Sequence, residues 1–288
     1  MHNLHEYLDK AKEEKKAIGH FNISNIEALW AIFEAARDLD EPVIIGVSEG
    51  EREHIGVRQV ASLVQSIRNE FDYPIFMNAD HTHDVEGTKA CIDVGFDSVM
   101  IDGSKLEFDE NVKITKECVE YAERIAQEEG RTVLVEAELG YIGSSSALLE
   151  EIPEGAGDDK TTPEIAQKFV EETGVNIFAP SVGNIHGVVK DGNPHIDAEL
   201  VGKIAKVADC YLVLHGGSGI TDEDIAAGVK AGISIVHVNT EIRKAFRDGL
   251  EESLERNDSI APYKYMDIPR KKVYDVVYNK IKLFANLK

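Results

Sequence analysis

Short β-rich apolar runs recur eight times along this chain of 288 residues, and a helical pattern follows each of them. The runs occupy residues 17–22, 43–47, 75–78, 98–102, 132–139, 176–179, 211–214 and 234–238. Each is continuous rather than alternating, the mark of strands buried on both faces. Such strands pair in parallel beneath covering helices, and eight β-then-α units close into a TIM (β/α)8 barrel. A doubly wound sheet is the runner-up. One barrel of about 250 residues plus decoration accounts for the whole length, so residues 1–288 are expected to form a single domain.

The helical segments carry their own start signals. Ser24 to Glu27 and Thr161 to Glu164 are capping boxes, the second with Pro163 in its first turn. Val112, Val119, Ala122 and Ala126 recur at helical spacing. A helical tail at 269–287 follows the eighth unit. The stretch 144–162, rich in Ser, Pro, Gly and acids, reads as a mobile loop rather than a domain boundary.

Charge narrows the partners. Fifty-three Asp and Glu against 31 Lys and Arg give a net charge of −22, a field that repels nucleic-acid phosphates and anionic lipid. An anionic substrate needs local positive charge to offset it. No apolar run approaches the roughly 18 residues of a membrane span, and the first sixteen residues are polar and charged, unlike a signal peptide. Cys91, Cys118 and Cys210 are few and widely spaced, which suits buried thiols in a reducing cytoplasm.

In a barrel of this kind the chemistry lies at the C-terminal strand ends. The residues there are Asn22, Ser48, Asp80 with His81, Asp102, Glu138, His186, His215 and Asn239. Three histidines and three carboxylates thus converge on one face. Three imidazoles with one open position form a catalytic zinc arrangement. Each histidine alone reads equally well as a polar residue in a tight loop; His83 and Asp84 read as helix-start residues. The run H-G-G-S-G at 215–219, followed by Thr221 and Asp224, offers backbone N–H groups and a hydroxyl to a phosphate. The stretch V-N-T-E at 238–241 offers the same from the eighth unit. Carbon–carbon cleavage beside a ketone needs an electron sink, either a Schiff-base lysine or a Lewis-acid metal. None of the eight runs contains a lysine, which favours the metal.

Across almost the whole chain the motifs G-H-F-N-I-S-N (19–25), G-V-S-E-G (46–50), A-D-H (79–81), S-V-M-I-D (98–102), V-E-A-E-L-G (135–140), G-N-I-H-G (183–187), L-H-G-G-S-G (214–219) and N-T-E (239–241) occur in order. In that order and spacing the chain resembles class II, metal-dependent fructose-bisphosphate aldolases and their tagatose-bisphosphate relatives. The resemblance implies that His81, His186 and His215 hold Zn²⁺, with Co²⁺ or Fe²⁺ as alternatives, and that Asp80 is the acid/base at the hydroxyl next to the scissile bond. It implies a second divalent ion at Asp102 and Glu138. It also implies a substrate site from Asn22, Ser48, Gly187, Lys190, Gly216, Gly217, Ser218, His237, Asn239 and Thr240, completed by Arg270 from a neighbouring subunit of a homodimer or homotetramer. The implied reaction is reversible cleavage of a ketose 1,6-bisphosphate, foremost fructose 1,6-bisphosphate, to dihydroxyacetone phosphate and glyceraldehyde 3-phosphate, in glycolysis and gluconeogenesis.

Some positions depart from the pattern. Relatives carry G-G-x-E-D in the fifth loop, whose acid moves a carbon-bound proton; here the loop reads G-S-S-S-A-L-L-E-E, with Ser145 and Ser146 at the acidic positions. Either Glu150 or Glu151 substitutes, or the loop works differently, with His237 the next candidate base. His237 replaces a substrate-contacting asparagine, Ile235 a lysine, and Asn78 a histidine. Two other functions stay open: a metal-dependent phosphosugar isomerase or epimerase shuttling protons through Asp102 and Glu138, and a non-catalytic binding barrel.

Overall fold

The computed structural model describes residues 2–143, 146–152, 154 and 159–287. Its strands are β1 (Ile18–Asn22), β2 (Val43–Val47), β3 (Ile75–Thr82), β4 (Ser98–Ile101), β5 (Leu134–Leu139), β6 (Leu148–Leu149), β7 (Ile177–Pro180), β8 (Val188–Val189), β9 (Tyr211–Leu214) and β10 (Ile233–Val238). Its helices are α1 (Leu4–Glu14), α2 (Ile26–Leu39), α3 (Glu49–Ile55), α4 (Val57–Phe71), α5 (Val85–Asp93), α6 (Phe108–Glu129), α7 (Pro163–Thr173), α8 (Ala198–Val207), α9 (Asp222–Ala231), α10 (Thr240–Arg256), α11 (Pro262–Tyr265) and α12 (Asp267–Phe284). Eight strands close a parallel barrel in the order β1-β10-β9-β7-β5-β4-β3-β2. The first strand meets the last, with His20 opposite His237, so the open sheet is excluded and the (β/α)8 barrel stands.

Residues two apart on a strand share a face, and along the inward faces polarity rises towards the C-terminal end. Ile18, His20 and Asn22 form one such series; Phe76, Asn78 and Asp80 form another, and Leu134, Glu136 and Glu138 a third. The lower members pack as one apolar cluster with Ile44, Ile177, Val213 and Ile235. Leu4, Leu8 and Ala11 of α1 join that cluster at helical spacing and close the N-terminal end of the barrel. The sequence reading assigns no element to this polar, charged start; the helix is a finding of the structure. Outside the barrel, α12 packs on α2 and lays Phe284 against Phe21, ring centroids 6.4 Å apart.

Two departures from expectation shape the site. β3 does not end at Asn78 but runs to Thr82, and its register against β4 shifts between Ala79 and Thr82. His81 sits in the shift with φ of 38°, a left-handed backbone that strands avoid. The bulge cancels the alternation that sends neighbouring side chains to opposite faces, so Asp80 and His81 both reach the mouth. Within the stretch read as a mobile loop, residues 144, 145, 153 and 155–158, Ser145 among them, lie outside the described residues. Leu148 and Leu149 pair in parallel with Val188 and Val189, joining the fifth loop to the sixth.

Candidate metal centre and active-site cavity

A cavity of about 290 Å³ opens at the C-terminal end of the barrel. His81 comes from the β3 bulge, His186 from the loop before β8, and His215 from the end of β9. Their ring centroids stand 4.9, 5.0 and 5.6 Å apart. One nitrogen of each ring is held from behind. His81 Nδ1 lies 2.8 Å from Asp102 Oδ2, His186 Nδ1 donates to Gly143 O at 2.9 Å, and His215 Nε2 lies 2.7 Å from Glu136 Oε1. Donation through those nitrogens leaves a lone pair on the opposite nitrogen of each ring, fixed in direction by its outer partner. His215 Nδ1 is buried and has no hydrogen-bond partner among the described residues. Three such nitrogens converging within 4.8 Å of one another fit one divalent ion.

The electrostatics point the same way. Burial lowers all three imidazoles. In His81 the carboxylates of Asp80, Asp102 and Glu138 outweigh it and push the pKa up to about 10. Burial and the charge of His81 together press His186 down to about 4 and His215 well below its ordinary value. The ion-free cluster therefore carries one proton on His81, where the surrounding carboxylates call for positive charge. Asp80 is held well below the usual carboxylate range: burial raises it, but His81 and His237 outweigh burial. Burial and Asp102 push Glu138 well above that range.

Asn22, Ser48, Asp80, Asp102, Gly187, Gly216, Ser218, His237, Asn239 and Thr240 all line the cavity. Gly216 takes φ of +64°, and a Cβ there would stand 2.1 Å from Ile185 O, so only glycine lets the seventh loop close over the sixth. Gly217 and Glu138 stand behind the lining; the Gly217 N–H donates to His237 O at 2.9 Å. Lys190 is not in the cavity but exposed, paired with Glu150 at 3.0 Å. Arg270 pairs with Glu34 on the α2–α12 surface and takes no part in this chain's own cavity. Glu150 and Glu151 also lie outside the lining.

The structure adds residues the sequence reading missed. His20, Ser98 and Glu136 join Asn78, already noted in the sequence, in a buried polar layer beneath the mouth, with Asn78 Nδ2 2.9 Å from Ser98 Oγ and 3.3 Å from Glu136 Oε2. The signal was present two residues before Asn22 and Glu138, on the same strand faces. Arg243, one helical turn beyond Thr240, brings a cation to the cavity. Glu51 and the buried Arg52 support the wall, Arg52 donating to Asp80 O at 3.0 Å and Thr82 Oγ1 at 2.8 Å.

The chain is similar to known proteins over nearly its whole length. Residues 2–287 match the family model for class-II fructose-bisphosphate aldolase. The chain is 36% identical over 288 residues to a fructose-bisphosphate aldolase of Geobacillus stearothermophilus, covering 99% of this chain and 96% of that protein. It is 37% identical over 290 aligned positions to a fructose-bisphosphate aldolase of Staphylococcus aureus, covering 98% and 96%. The crystal structure of the YdjI aldolase from Escherichia coli K12 superposes with a TM-score of 0.81 at 28% identity, covering 98% of this chain and 96% of that one. On the full-length match and these identities, the chain belongs to the class II fructose-bisphosphate aldolase family.

Proposed function

We propose that this protein is a zinc-dependent aldolase that reversibly cleaves fructose 1,6-bisphosphate to dihydroxyacetone phosphate and glyceraldehyde 3-phosphate. The observation that carries the reading is the triad His81, His186 and His215, each pinned at one nitrogen and open at the other. These residues would hold a divalent ion, which when bound would supply Lewis-acid polarisation for a substrate ketone. The donor set of three imidazoles suits Zn²⁺. A second divalent ion would take Glu138, whose buried Oε2 is unpartnered among the described residues, and would take Asp102 only in exchange for its bond to Ser104.

Asp80 is the acid/base. It is ionised at neutral pH and oriented by Asn22, whose Nδ2 donates to Asp80 Oδ2 at 2.8 Å. In the cleavage direction it takes the proton from the hydroxyl beside the scissile carbon–carbon bond. That bond then breaks, the hydroxyl-bearing carbon leaves as an aldehyde, and the electron pair leaves the other fragment as an enediolate, which takes a proton at carbon from a second acid or solvent to become dihydroxyacetone phosphate. Asp80 returns the proton in the condensation direction. Gly187, Gly216, Ser218, Asn239 and Thr240 at the cavity rim, with the N-terminus of α10, suit a phosphate. Arg243 supplies the local cation that Lys190, turned outward on Glu150, does not.

An isomerase shuttling protons through paired carboxylates fits less well, because Asp102 is committed to His81 and to Ser104 Oγ at 2.7 Å. The reading places the enzyme in glycolysis and gluconeogenesis, in the cytoplasm, as a homo-oligomer; no helix among the described residues is long and apolar enough to cross a membrane. The test is cleavage of fructose 1,6-bisphosphate with and without a chelator. Cleavage to two trioses, lost on chelation and restored by Zn²⁺, is the expected result. No cleavage by zinc-loaded protein, or full activity in excess chelator, overturns it.

A further inference from the structure

The Glu51 carboxylate is buried at 5% exposure on the first turn of α3, among groups it has no structural need to touch. Its Oε2 accepts from Ser48 N at 2.8 Å, the ordinary service of an acid at the third position of a helix. The same oxygen accepts from Asn22 Nδ2 at 2.8 Å. Its Oε1 accepts from Arg243 Nη2 at 2.7 Å. A helix cap requires only the first of these bonds and no burial.

The two remaining bonds lead to different parts of the cavity. Asn22 spends one amide hydrogen on Glu51 and the other on Asp80 Oδ2, both at 2.8 Å. Both partners are acceptors, so the amide has one orientation, and Glu51 fixes it. Arg243 reaches the wall from α10, and its Nη1 lies 3.4 Å from Ser146 O in the fifth loop. Without Glu51 the guanidinium, already about half exposed, swings on a flexible stem. One carboxylate therefore sets both the acid/base and the cavity's cation.

We propose that Glu51 is a positioning residue for the aldol reaction, holding Asp80 through Asn22 with one oxygen and Arg243 over the substrate phosphate with the other. The assignment rests on the aldolase reading above. The two arms separate chemically. In Glu51→Gln the amide oxygen keeps Ser48 N and Asn22, while its NH₂ meets the guanidinium donor to donor. In Glu51→Ala both arms are lost.

The experiment measures kcat and KM for fructose 1,6-bisphosphate on zinc-loaded wild type, Glu51→Gln, Glu51→Ala, Arg243→Ala and the Glu51→Gln/Arg243→Ala double variant, with melting temperature and zinc content for each. Glu51→Gln is expected to raise KM about tenfold or more, the scale of one lost charge-assisted hydrogen bond, with kcat changed less than about twofold. Glu51→Ala is expected to lower kcat about tenfold as well, through the loosened Asp80. In the Arg243→Ala background Glu51→Gln adds no further rise in KM, since the arm is already cut. Equal losses of kcat in both Glu51 variants with KM unchanged, or full additivity with Arg243→Ala, overturns the assignment. The isosteric Gln variant and the double variant decide the matter even if Glu51→Ala does not fold. A wild type that cleaves no ketose bisphosphate sinks the aldolase reading and this assignment with it; a cleaving wild type with unsplit kinetics sinks the assignment alone.

Discussion

The imidazole of His237 lies flat on that of His20, with centroids 3.4 Å apart and planes within 5° of each other. The pair bridges the seam where β1 meets β10, and His237 lies against His215 with ring centroids 4.1 Å apart. His20 also covers Gly46, where a Cβ would stand 2.1 Å from its Cε1, so the ring at one position requires the glycine at the other. Stacked parallel rings aim their lone pairs side by side rather than at one point. Although His20, Asp80 and His237 also bring possible ligand atoms within 4.8 Å of one another, the stacked rings suit packing better than joint coordination of one ion.

Burial and the neighbouring His237 press His20 down to about 4. A histidine depressed in the folded state binds its proton first in the unfolded chain, so stability rises with pH between the two values and falls as pH drops below about 6.5. Chaotrope unfolding of the ion-free protein between pH 7 and pH 4 should show this fall. His20→Gln should flatten it, by up to about 1.4 kcal/mol for each pH unit in that window. Parallel curves for wild type and variant would remove His20 from the account.

Because the carboxylates around His81 hold its pKa up near 10, the ion-free cluster carries a proton at neutral pH that a metal displaces. Zn²⁺ added to chelated protein at pH 7 should release about one proton for each ion bound, read from calorimetry in buffers of different ionisation enthalpy. Borohydride with substrate should trap no adduct. Uptake without proton release would show that His81 is already neutral, and a trapped lysine would replace the metal with a Schiff base.

Asp80→Ala should retain zinc and fold while turnover falls roughly 10²-fold or more, the scale of general acid–base catalysis. Loss of zinc with an unchanged rate for each metal ion still bound would make Asp80 a ligand.

The fifth loop presents Glu150 to Lys190 at 3.0 Å instead of to the cavity. If Glu150 moves the carbon-bound proton, that ion pair must part first. Glu150→Gln or Glu151→Gln should then slow solvent exchange of the dihydroxyacetone phosphate proton without slowing chelator-sensitive zinc binding. Exchange that is unchanged in the double variant passes the role to His237, which lines the cavity 3.5 Å from Asp80 Oδ1.

The barrel and the three histidines were legible because continuous apolar runs mark buried strands and because each histidine follows one of those runs. What escaped has physical reasons. The β3 bulge is a backbone event that periodicity does not record, yet it alone puts Asp80 and His81 on one side. Leu4, Leu8 and Ala11 are a helical stripe hidden among charges. His20 and Glu136 lie inside apolar runs, where a polar residue looks like noise until the barrel closes and gives each a partner. Arg243 shows itself only once α10 starts at Thr240 and its first turn faces the mouth.

The Leu148–Leu149 and Val188–Val189 ladder has a consequence for how firmly an ion is kept. His81 and His215 are anchored to barrel strands, but His186 hangs between Ile142 O and that ladder, both on the fifth and sixth loops. If these three rings hold an ion, two of its ligands sit on barrel strands and one on loops tied to each other. If substrate orders these loops around His186, it would strengthen ion binding, and by reciprocity the ion would favour that loop arrangement by the same factor. Substrate that closes the mouth should therefore slow the escape of zinc to a chelator, and stripped protein should hold its fifth and sixth loops less firmly than the loaded form.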